Sequence, residues 1–146
     1  AAPGSKASQL LDDLVAGSDP EGAESDSLLV CNESEPKRMR RLSSRLRLQP
    51  SAPLLLVTSD AARFPDLQVA LHPEHSRSEM ASLRFHKVLC DVPCSGDGTT
   101  RKNADIWGTW RAERGLDLHP KQCAILRRGL RLLEPGGLLA YSTCSL

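Results

Sequence analysis

Short apolar runs alternate along this chain with segments in which apolar residues recur every three or four positions. The apolar runs predict strands at 27–31, 54–58, 85–90 and 138–142. The helical spacing predicts helices over about 7–15, over 35–48 and over 119–133. Continuous apolar strands that alternate with amphipathic helices indicate a mostly parallel sheet covered on both faces. The predicted fold class is therefore α/β.

The same pattern predicts which side of each helix is buried. The helix over 35–48 places Met39, Leu42 and Leu46 inward and its arginines outward. The helix over 119–133 has an apolar stripe, namely Cys123, Leu126, Leu130 and Leu133. Residues 134–137 predict a turn, and residues 65–82, which have no clear period, predict a loop with one helical turn. Neither 17–27 nor 69–82 contains a motif that indicates a function.

Polar and reactive residues follow the predicted strands. They are Glu33, Asp60, Asp91, Cys94 and Cys144. In open α/β sheets, ligands bind beyond the carboxyl ends of the strands. We therefore expect these five residues to belong to one functional edge.

The two cysteine segments, DVPCSGDG at 91–98 and YSTCSL at 141–146, are the most informative feature of that edge. A single cysteine is most often a buried, inert thiol. Two cysteines at equivalent strand ends, one of them in a Pro-Cys-Ser-Gly turn, instead suggest a nucleophile and an accessory group around one substrate. Attack would require thiolate character, which nearby cations or a helix N-terminus can supply.

The opening segment AAPGSK at 1–6 is a turn of small residues before a helix. Gly4 permits close approach of the backbone to a ligand, and a helix N-terminus favours a negative charge. The segment lacks the dinucleotide and Walker spacings. Glu33 is suited to accepting hydrogen bonds from both hydroxyls of a ribose, or is simply an acid at a strand end. Asp60 has the same alternatives, including a helix cap. Together these residues predict a site for an adenosine-containing cofactor.

Composition sets limits on the class of protein. The chain has 146 residues, the size of one domain, and a net charge of +1. Basic residues cluster at 37–47, and Arg101 and Lys102 are suited to phosphate contact. Asp91 is placed to bind a ring nitrogen or amine of a base, and Trp107 either stacks on a base or packs in a core or interface. No apolar run approaches the roughly 20 residues that span a bilayer.

The five cysteines include no CxxC pair and no finger-like Cys/His spacing, so we expect no metal. Without a secretory signal, a disulfide framework is not expected either. The composition therefore predicts a reduced, soluble, intracellular protein.

These segments resemble the Nop/Sun family of RNA cytosine-5 methyltransferases. The similarity covers most of the chain: AAPGSK at 1–6, the acid Glu33, the Asp60-Ala61 step, DVPCSGDGTTRKN at 91–103 and YSTCSL at 141–146. The combination of DVPCSG with a downstream STCS is highly specific. The longer run GDGTTRKNADIW most resembles the branch that methylates transfer RNA.

The resemblance implies a Rossmann-like methyltransferase fold that uses S-adenosylmethionine, an RNA substrate, most closely tRNA, and residence in the nucleus or nucleolus. It implies that Cys144 attacks C6 of cytosine and that Cys94 helps to release the methylated base, by helping to remove the C5 proton. Lys6 and Asp91 would lie near the base and the reacting methyl group. The implied cofactor-binding residues are Ala1, Ala2, Pro3, Gly4, Ser5, Lys6, Glu33, Asp60 and Asp91.

Compared with that family, the first strand, before the Ala-Ala-Pro turn, and the later strands are missing. We therefore expect residues 1–146 to be a partial catalytic domain that is unstable or inactive alone. One alternative is a catalytically silent form that binds RNA or a protein partner through 38–47. Another is a DNA cytosine methyltransferase, in which the thiol of Cys94 would be the attacking group.

Overall fold

The protein is represented by a computed structural model that describes residues 4–16, 27–48, 53–70 and 79–145. The chain divides into two compact units, Ala1–Ala61 (unit 1) and Ala62–Leu146 (unit 2). Unit 1 contains α1 (Ser5–Ala16), β1 (Leu29–Asn32), α2 (Pro36–Leu46) and β2 (Leu54–Val57). Unit 2 contains β3 (Gln68–Ala70), β4 (Met80–Ser82), β5 (Phe85–Asp91), α3 (Ile106–Thr109), α4 (Glu113–Leu132) and β6 (Leu133–Ser142).

Unit 1 is built around one parallel strand pair and an aliphatic core. β1 pairs with β2 from Leu29↔Leu54 to Asn32↔Val57, so the carboxyl ends of both strands point the same way. The buried core comprises Ala7, Leu11, Cys31, Met39, Leu42 and Leu46. The predicted inward face of α2 is thus confirmed. On α1, Ala7 and Leu11 are buried, whereas Leu10 is exposed.

The start of α2 is fixed by local chemistry. Pro36 occupies the first turn, where its missing N–H costs no helical hydrogen bond. The backbone N–H of Glu35 donates to Glu33 Oε1 over 3.2 Å. The side chain of Glu33 is therefore tied to the beginning of the helix that follows it.

Unit 2 contains a second parallel pair, β5 and β6. The ladder runs from Phe85↔Leu133 to Asp91↔Ser142, with an irregularity between Phe85 and Lys87. The turn predicted at 134–137 lies inside β6 at that irregularity, and Gly136 has φ +84°. The prediction of a turn before the strand was wrong, because the bulged residues remain within the strand.

The helix α4 packs on β5 and β6 through a stripe that differs from the predicted one. Its buried residues are Ile125, Gly129 and Leu132, whereas Leu130 is 54% exposed. A Cβ at Gly129 would lie 2.7 Å from Cys90 Sγ, so the absent side chain lets this face approach the sheet. The helix also begins at Glu113, earlier than predicted, and contains Pro120.

Residues 65–82 form more than the predicted loop. β3 and β4 are an antiparallel pair, with Val69 opposite Ala81. Strands of three residues are too short to show an alternating pattern, so the prediction of a loop was wrong here. The short helical turn Ala61–Arg63 lies before this segment, and the described residues of 65–82 contain no helical turn. Residues 71–78 lie outside the described part of the chain.

Arg128 attaches α4 to the segment before β3. Its Nε donates to the carbonyl of Phe64 over 2.6 Å, and its terminal nitrogen donates to Asp66 Oδ1 over 2.8 Å. This hydrogen bond, together with the charge of Arg128, lowers the pKa of Asp66. Across the described ranges, the structure contains no helix long and apolar enough to cross a membrane.

Candidate functional site

In unit 1, Gly4 has a backbone conformation that only glycine adopts readily. Gly4 is buried and has φ +100°, which residues with a Cβ rarely adopt. A Cβ at this position would lie 2.8 Å from Leu42 Cδ1. The helix α1 begins at the next residue, Ser5, and its first turn presents backbone N–H groups. Lys6 is exposed, while Ala1, Ala2 and Pro3 lie outside the described residues.

Glu33 is the buried acid of unit 1. It directly follows β1 and is only 5% exposed. Its Oε2 lies 3.4 Å from the guanidinium of Arg38, which comes from α2. A buried charge needs such a partner. Since the carboxylate is held at the carboxyl end of β1, it is suited to accepting hydrogen bonds from a ligand's hydroxyl groups.

An amide side chain joins the loops that follow β1 and β2. The Nδ2 of Asn32 donates to the carbonyl of Ser59 over 3.0 Å, and its Oδ1 accepts from the N–H of Ser59 over 3.1 Å. Ser59 in turn precedes Asp60, which is exposed. These two hydrogen bonds therefore fix the position of the backbone next to Asp60 relative to the end of β1.

In unit 2, two predicted residues follow neighbouring parallel strands. Cys94 comes shortly after β5, and Cys144 comes shortly after β6. Because Asp91 is paired with Ser142 at the end of the ladder, the two cysteine loops start side by side. The Cα atoms of the two cysteines are 6.0 Å apart. The structure thus brings Cys94 and Cys144 together, and Asp91 lies exposed at the same strand end.

The two sulfurs are joined in a disulfide in this structure. The expectation of an entirely reduced set of cysteines was therefore wrong for this pair. The physical reason is the parallel pairing of β5 and β6, which places thiols from distant positions at bonding distance. A thiol reductant, giving up two electrons and two protons, would return both residues to the form that can act as nucleophile or base.

Hydrogen bonds continue the β5–β6 pairing into the cysteine loops. The N–H of Val92 donates to the carbonyl of Ser142 over 3.1 Å, and that of Gly98 donates to the carbonyl of Cys144 over 2.8 Å. The N–H of Cys144 lies 3.0 Å from Cys94 Sγ. The loops are therefore aligned by backbone bonds as well as by the disulfide.

Side chains add further links at the same place. Ser95 Oγ donates to Asp97 Oδ1 and lies 2.9 Å from Ser145 Oγ. From α4, Gln122 Nε2 donates to the carbonyl of Pro93 over 2.8 Å. These links connect both cysteine loops to each other and one of them to the helix.

The remaining cysteines do not compete for the role of nucleophile. Cys31 and Cys90 are buried, and burial raises the pKa of both thiols. A buried thiol in its neutral form is a poor nucleophile. Cys123 lies on α4, with its sulfur 3.5 Å from His119 Nε2. Among the described residues, no group of three or more His, Cys, Asp or Glu side chains could hold a metal ion.

The residues predicted to contact nucleic acid lie on the surface after the cysteine loop. Arg101 and Lys102 are exposed. Trp107 is 79% exposed in α3, so it is not a core residue of unit 2. These side chains are available to a large ligand.

Several residues that organise the site carry no clear signal in the sequence. Asn32 and Gln122 were not singled out, and the link between Ser95, Asp97 and Ser145 was not predicted. A strand-terminal amide such as Asn32 is a usable signal, because it can bond both backbone groups of a neighbouring loop. The contacts of Gln122 and Ser95 depend on which elements become neighbours, which the spacing alone does not reveal.

Comparison with known proteins gives a match over the whole chain. The family model described as 16S rRNA methyltransferase RsmB/F matches residues 1–146. The multisite-specific tRNA:(cytosine-C(5))-methyltransferase of Saccharomyces cerevisiae is 44% identical over 146 residues, which is 100% of this chain and 20% of that protein. The tRNA (cytosine(34)-C(5))-methyltransferase of Drosophila melanogaster is 44% identical over 146 residues, 100% of this chain and 19% of that protein.

These relatives are much longer than the chain, which spans about a fifth of their length. Among solved structures, the crystal structure of NSun6 from Pyrococcus horikoshii with SFG is similar, with a TM-score of 0.65 and 21% identity. The match covers 100% of this chain and 31% of that one. This likeness confirms the predicted α/β methyltransferase fold.

Proposed function

Because the chain belongs to the family of the 16S rRNA methyltransferases RsmB/F, we propose that it forms the catalytic centre of an enzyme that methylates C5 of cytosine in RNA. The observation that carries this proposal is the convergence of Cys94 and Cys144, with Cα atoms 6.0 Å apart, at the ends of two paired strands. The names of the two relatives, both cytosine-C(5) methyltransferases, support the reaction type.

We assign S-adenosylmethionine as the methyl donor. A structural neighbour contains SFG, an analogue of that cofactor. The residues of unit 1 suit an adenosine-containing group. Gly4 allows close backbone approach before α1, and the buried carboxylate of Glu33 is placed to accept hydrogen bonds from ribose hydroxyls. The set proposed for unit 1 is completed by Ala1, Ala2, Pro3, Ser5, Lys6 and Asp60, and Asp91 of unit 2 is proposed separately on the family resemblance. When bound, the cofactor supplies an electrophilic methyl group.

In this mechanism the two thiols have different tasks. The thiolate of Cys144 attacks C6 of the cytosine, which makes C5 electron-rich and able to accept a methyl group. Cys94 then accepts the C5 proton, and the bond between Cys144 and C6 breaks as the methylated base is released. Both sulfurs are occupied in the disulfide, so the active form is the reduced one. The base must leave its stack to reach the thiols.

We propose tRNA as the substrate. Both relatives reported above are named for tRNA, and each is 44% identical to this chain. The exposed Arg101 and Lys102, which follow the Cys94 loop, are placed for contacts with phosphate. Residence in the nucleus is proposed on the family resemblance and the basic run at 37–41.

The test is methyl transfer from labelled S-adenosylmethionine to tRNA by the intact reduced protein. We expect Cys144→Ala to lower the rate by about three orders of magnitude or more and to form no covalent RNA adduct. Cys94→Ala should instead accumulate the adduct, because release is blocked. Cys123→Ala, which removes a thiol outside the two loops, is the matched control and should resemble the wild type.

The outcomes separate the alternatives. If Cys94→Ala removes the adduct and Cys144→Ala retains it, the roles are reversed, as expected for a DNA-type enzyme. If wild-type protein binds tRNA but transfers no methyl group, the silent binding form is favoured. A 16S rRNA transcript in a parallel reaction shows whether tRNA is the preferred substrate.

A further inference from the structure

We propose that Ser95, Asp97 and Ser145 form a hydroxyl bridge that positions the two cysteine loops for the proposed reaction. Each serine directly follows one of the two cysteines. Ser95 Oγ donates to Asp97 Oδ1 and lies 2.9 Å from Ser145 Oγ. The bridge therefore connects the loops one residue beyond the pair of sulfurs. Its role rests on the proposed function, in which both thiols act on one base.

The direction of the hydrogen bonds follows from the number of protons available. A serine hydroxyl has one proton and can donate one hydrogen bond. Since Ser95 donates to the carboxylate of Asp97, the bond between the two serines must be donated by Ser145. Asp97 thus orders the whole bridge, and hydrogen bonds to an ionised acceptor are stronger than neutral ones.

Asp97 is itself held by a glycine turn. It begins the short turn Asp97–Thr99, directly after Gly96, which has φ +82°. The N–H of Thr99 donates to the carbonyl of Gly96 over 2.8 Å, and the Thr99 hydroxyl donates to the same oxygen over 2.7 Å. A Cβ at Gly96 would lie 3.1 Å from Ile106 Cδ1. The acceptor of the bridge is therefore fixed in place by local structure.

The bridge becomes important when the disulfide is reduced. The backbone bonds from Val92 to Ser142 and from Gly98 to Cys144 hold the loop backbones, and they do not depend on the serine side chains. The hydroxyl bridge adds a side-chain link next to the thiols. Its removal should let the thiols separate while the β5–β6 ladder remains intact.

The exchange of the two thiols with glutathione measures this separation without any methyl transfer. Oxidised glutathione takes two electrons and two protons from the thiol pair, which yields the disulfide and two molecules of reduced glutathione. The equilibrium constant reports how closely the loops hold the sulfurs. It is measured in the intact protein by differential alkylation and mass spectrometry of the Cys94 and Cys144 peptides.

We expect Ser95→Ala to shift this equilibrium about three- to tenfold toward the free thiols. Asp97→Asn keeps an acceptor oxygen but loses the charge, so its shift should be smaller. Ser145→Ala added to Ser95→Ala should change little more, because both variants remove the same bond. Thr143→Val is the matched control, because it removes an exposed hydroxyl from the same loop, and it should leave the constant unchanged.

Adduct formation in a single turnover gives a second readout. Ser95→Ala should slow it by a similar factor while leaving the affinity for S-adenosylmethionine unchanged. An exchange constant within twofold of wild type in both Ser95→Ala and Asp97→Asn would overturn the bridge, as would an equal shift in Thr143→Val. Absence of methyl transfer by the wild type would instead overturn the proposed methyltransferase function. The exchange constant does not depend on methyl transfer, so it separates failure of that function from failure of the bridge.

Discussion

The two units join the loops after their parallel strands by different chemistry. In unit 1, the amide of Asn32 makes two hydrogen bonds to the backbone of Ser59. In unit 2, the corresponding loops are joined by the disulfide and by the bridge from Ser145 through Ser95. The Asn32–Ser59 hydrogen bonds involve no reactive group. The link in unit 2, in contrast, is built from the groups that carry the proposed reaction. The link between the loops of unit 1 therefore does not depend on redox state, whereas the disulfide link of unit 2 does.

The units also differ in how open their functional edges are. Glu33 in unit 1 is 5% exposed and paired with Arg38. In unit 2, Asp91 is exposed, and both cysteines are only partly buried. A buried acid suits a small cofactor, and an open pair of loops suits a base carried by a large RNA. This division is consistent with the proposed function.

The largest expected effect is the loss of methyl transfer when the disulfide of unit 2 forms. Oxidation with diamide, which accepts two electrons and two protons as the Cys94–Cys144 disulfide forms, should abolish methyl transfer. Dithiothreitol should restore it, because both sulfurs then become available. Activity is measured before and after each treatment, with the bonded state confirmed by mass spectrometry.

Cys123→Ser is the control for that treatment, since its thiol is the remaining cysteine sulfur that is not buried. The variant should lose and regain activity as the wild type does. If the protein is fully active while Cys94 and Cys144 are shown to be disulfide-bonded, the function of unit 2 does not depend on its redox state.

A smaller effect concerns the helix beneath the cysteine loops. Gly129→Ala should lower the free energy of unfolding by about 1–3 kcal/mol, because the new Cβ meets Cys90 Sγ and Leu139 Cδ1 in a packed interior. Gly115→Ala in the same helix is the matched control, because nothing lies within 4 Å of its Cβ position. It should be neutral or stabilise by up to about 1 kcal/mol. Urea unfolding of the intact protein measures both, and equal effects would show that α4 does not pack as described.

The smallest expected effect concerns the two hydrogen bonds between Asn32 and Ser59 in unit 1. Asn32→Ala removes both bonds to Ser59 and should cost about 1–2 kcal/mol in the free energy of unfolding. Asn32→Asp keeps the acceptor for the N–H of Ser59 but places a carboxylate oxygen against the Ser59 carbonyl, so it should cost at least as much. Urea unfolding measures the loss. Neither variant should change the thiol–disulfide equilibrium constant of Cys94 and Cys144 with glutathione. A change in that constant would show that the Asn32–Ser59 bonds are coupled to the cysteine pair.

Much of the architecture was predictable because apolar runs and helical spacing are local signals. The four predicted strands and the buried face of α2 are present, with ends shifted by a few residues. The buried stripe of α4 was wrong because Gly129 contributes to packing by having no side chain, which a hydrophobic pattern does not register. β3 and β4 were missed because each has only three residues.

By itself, the sequence determined which residues carry the chemistry: the acid after β1, the Gly4 turn, and the cysteines that follow two apolar strands. Strand ends and turns are encoded over a few neighbouring positions, so they can be recognised without a structure. Only the tertiary structure decided which of these residues meet. The pairing of β5 with β6 brings together sulfurs fifty positions apart and lets Ser145 bond Ser95. Such contacts depend on strand register, which distant parts of the chain set jointly.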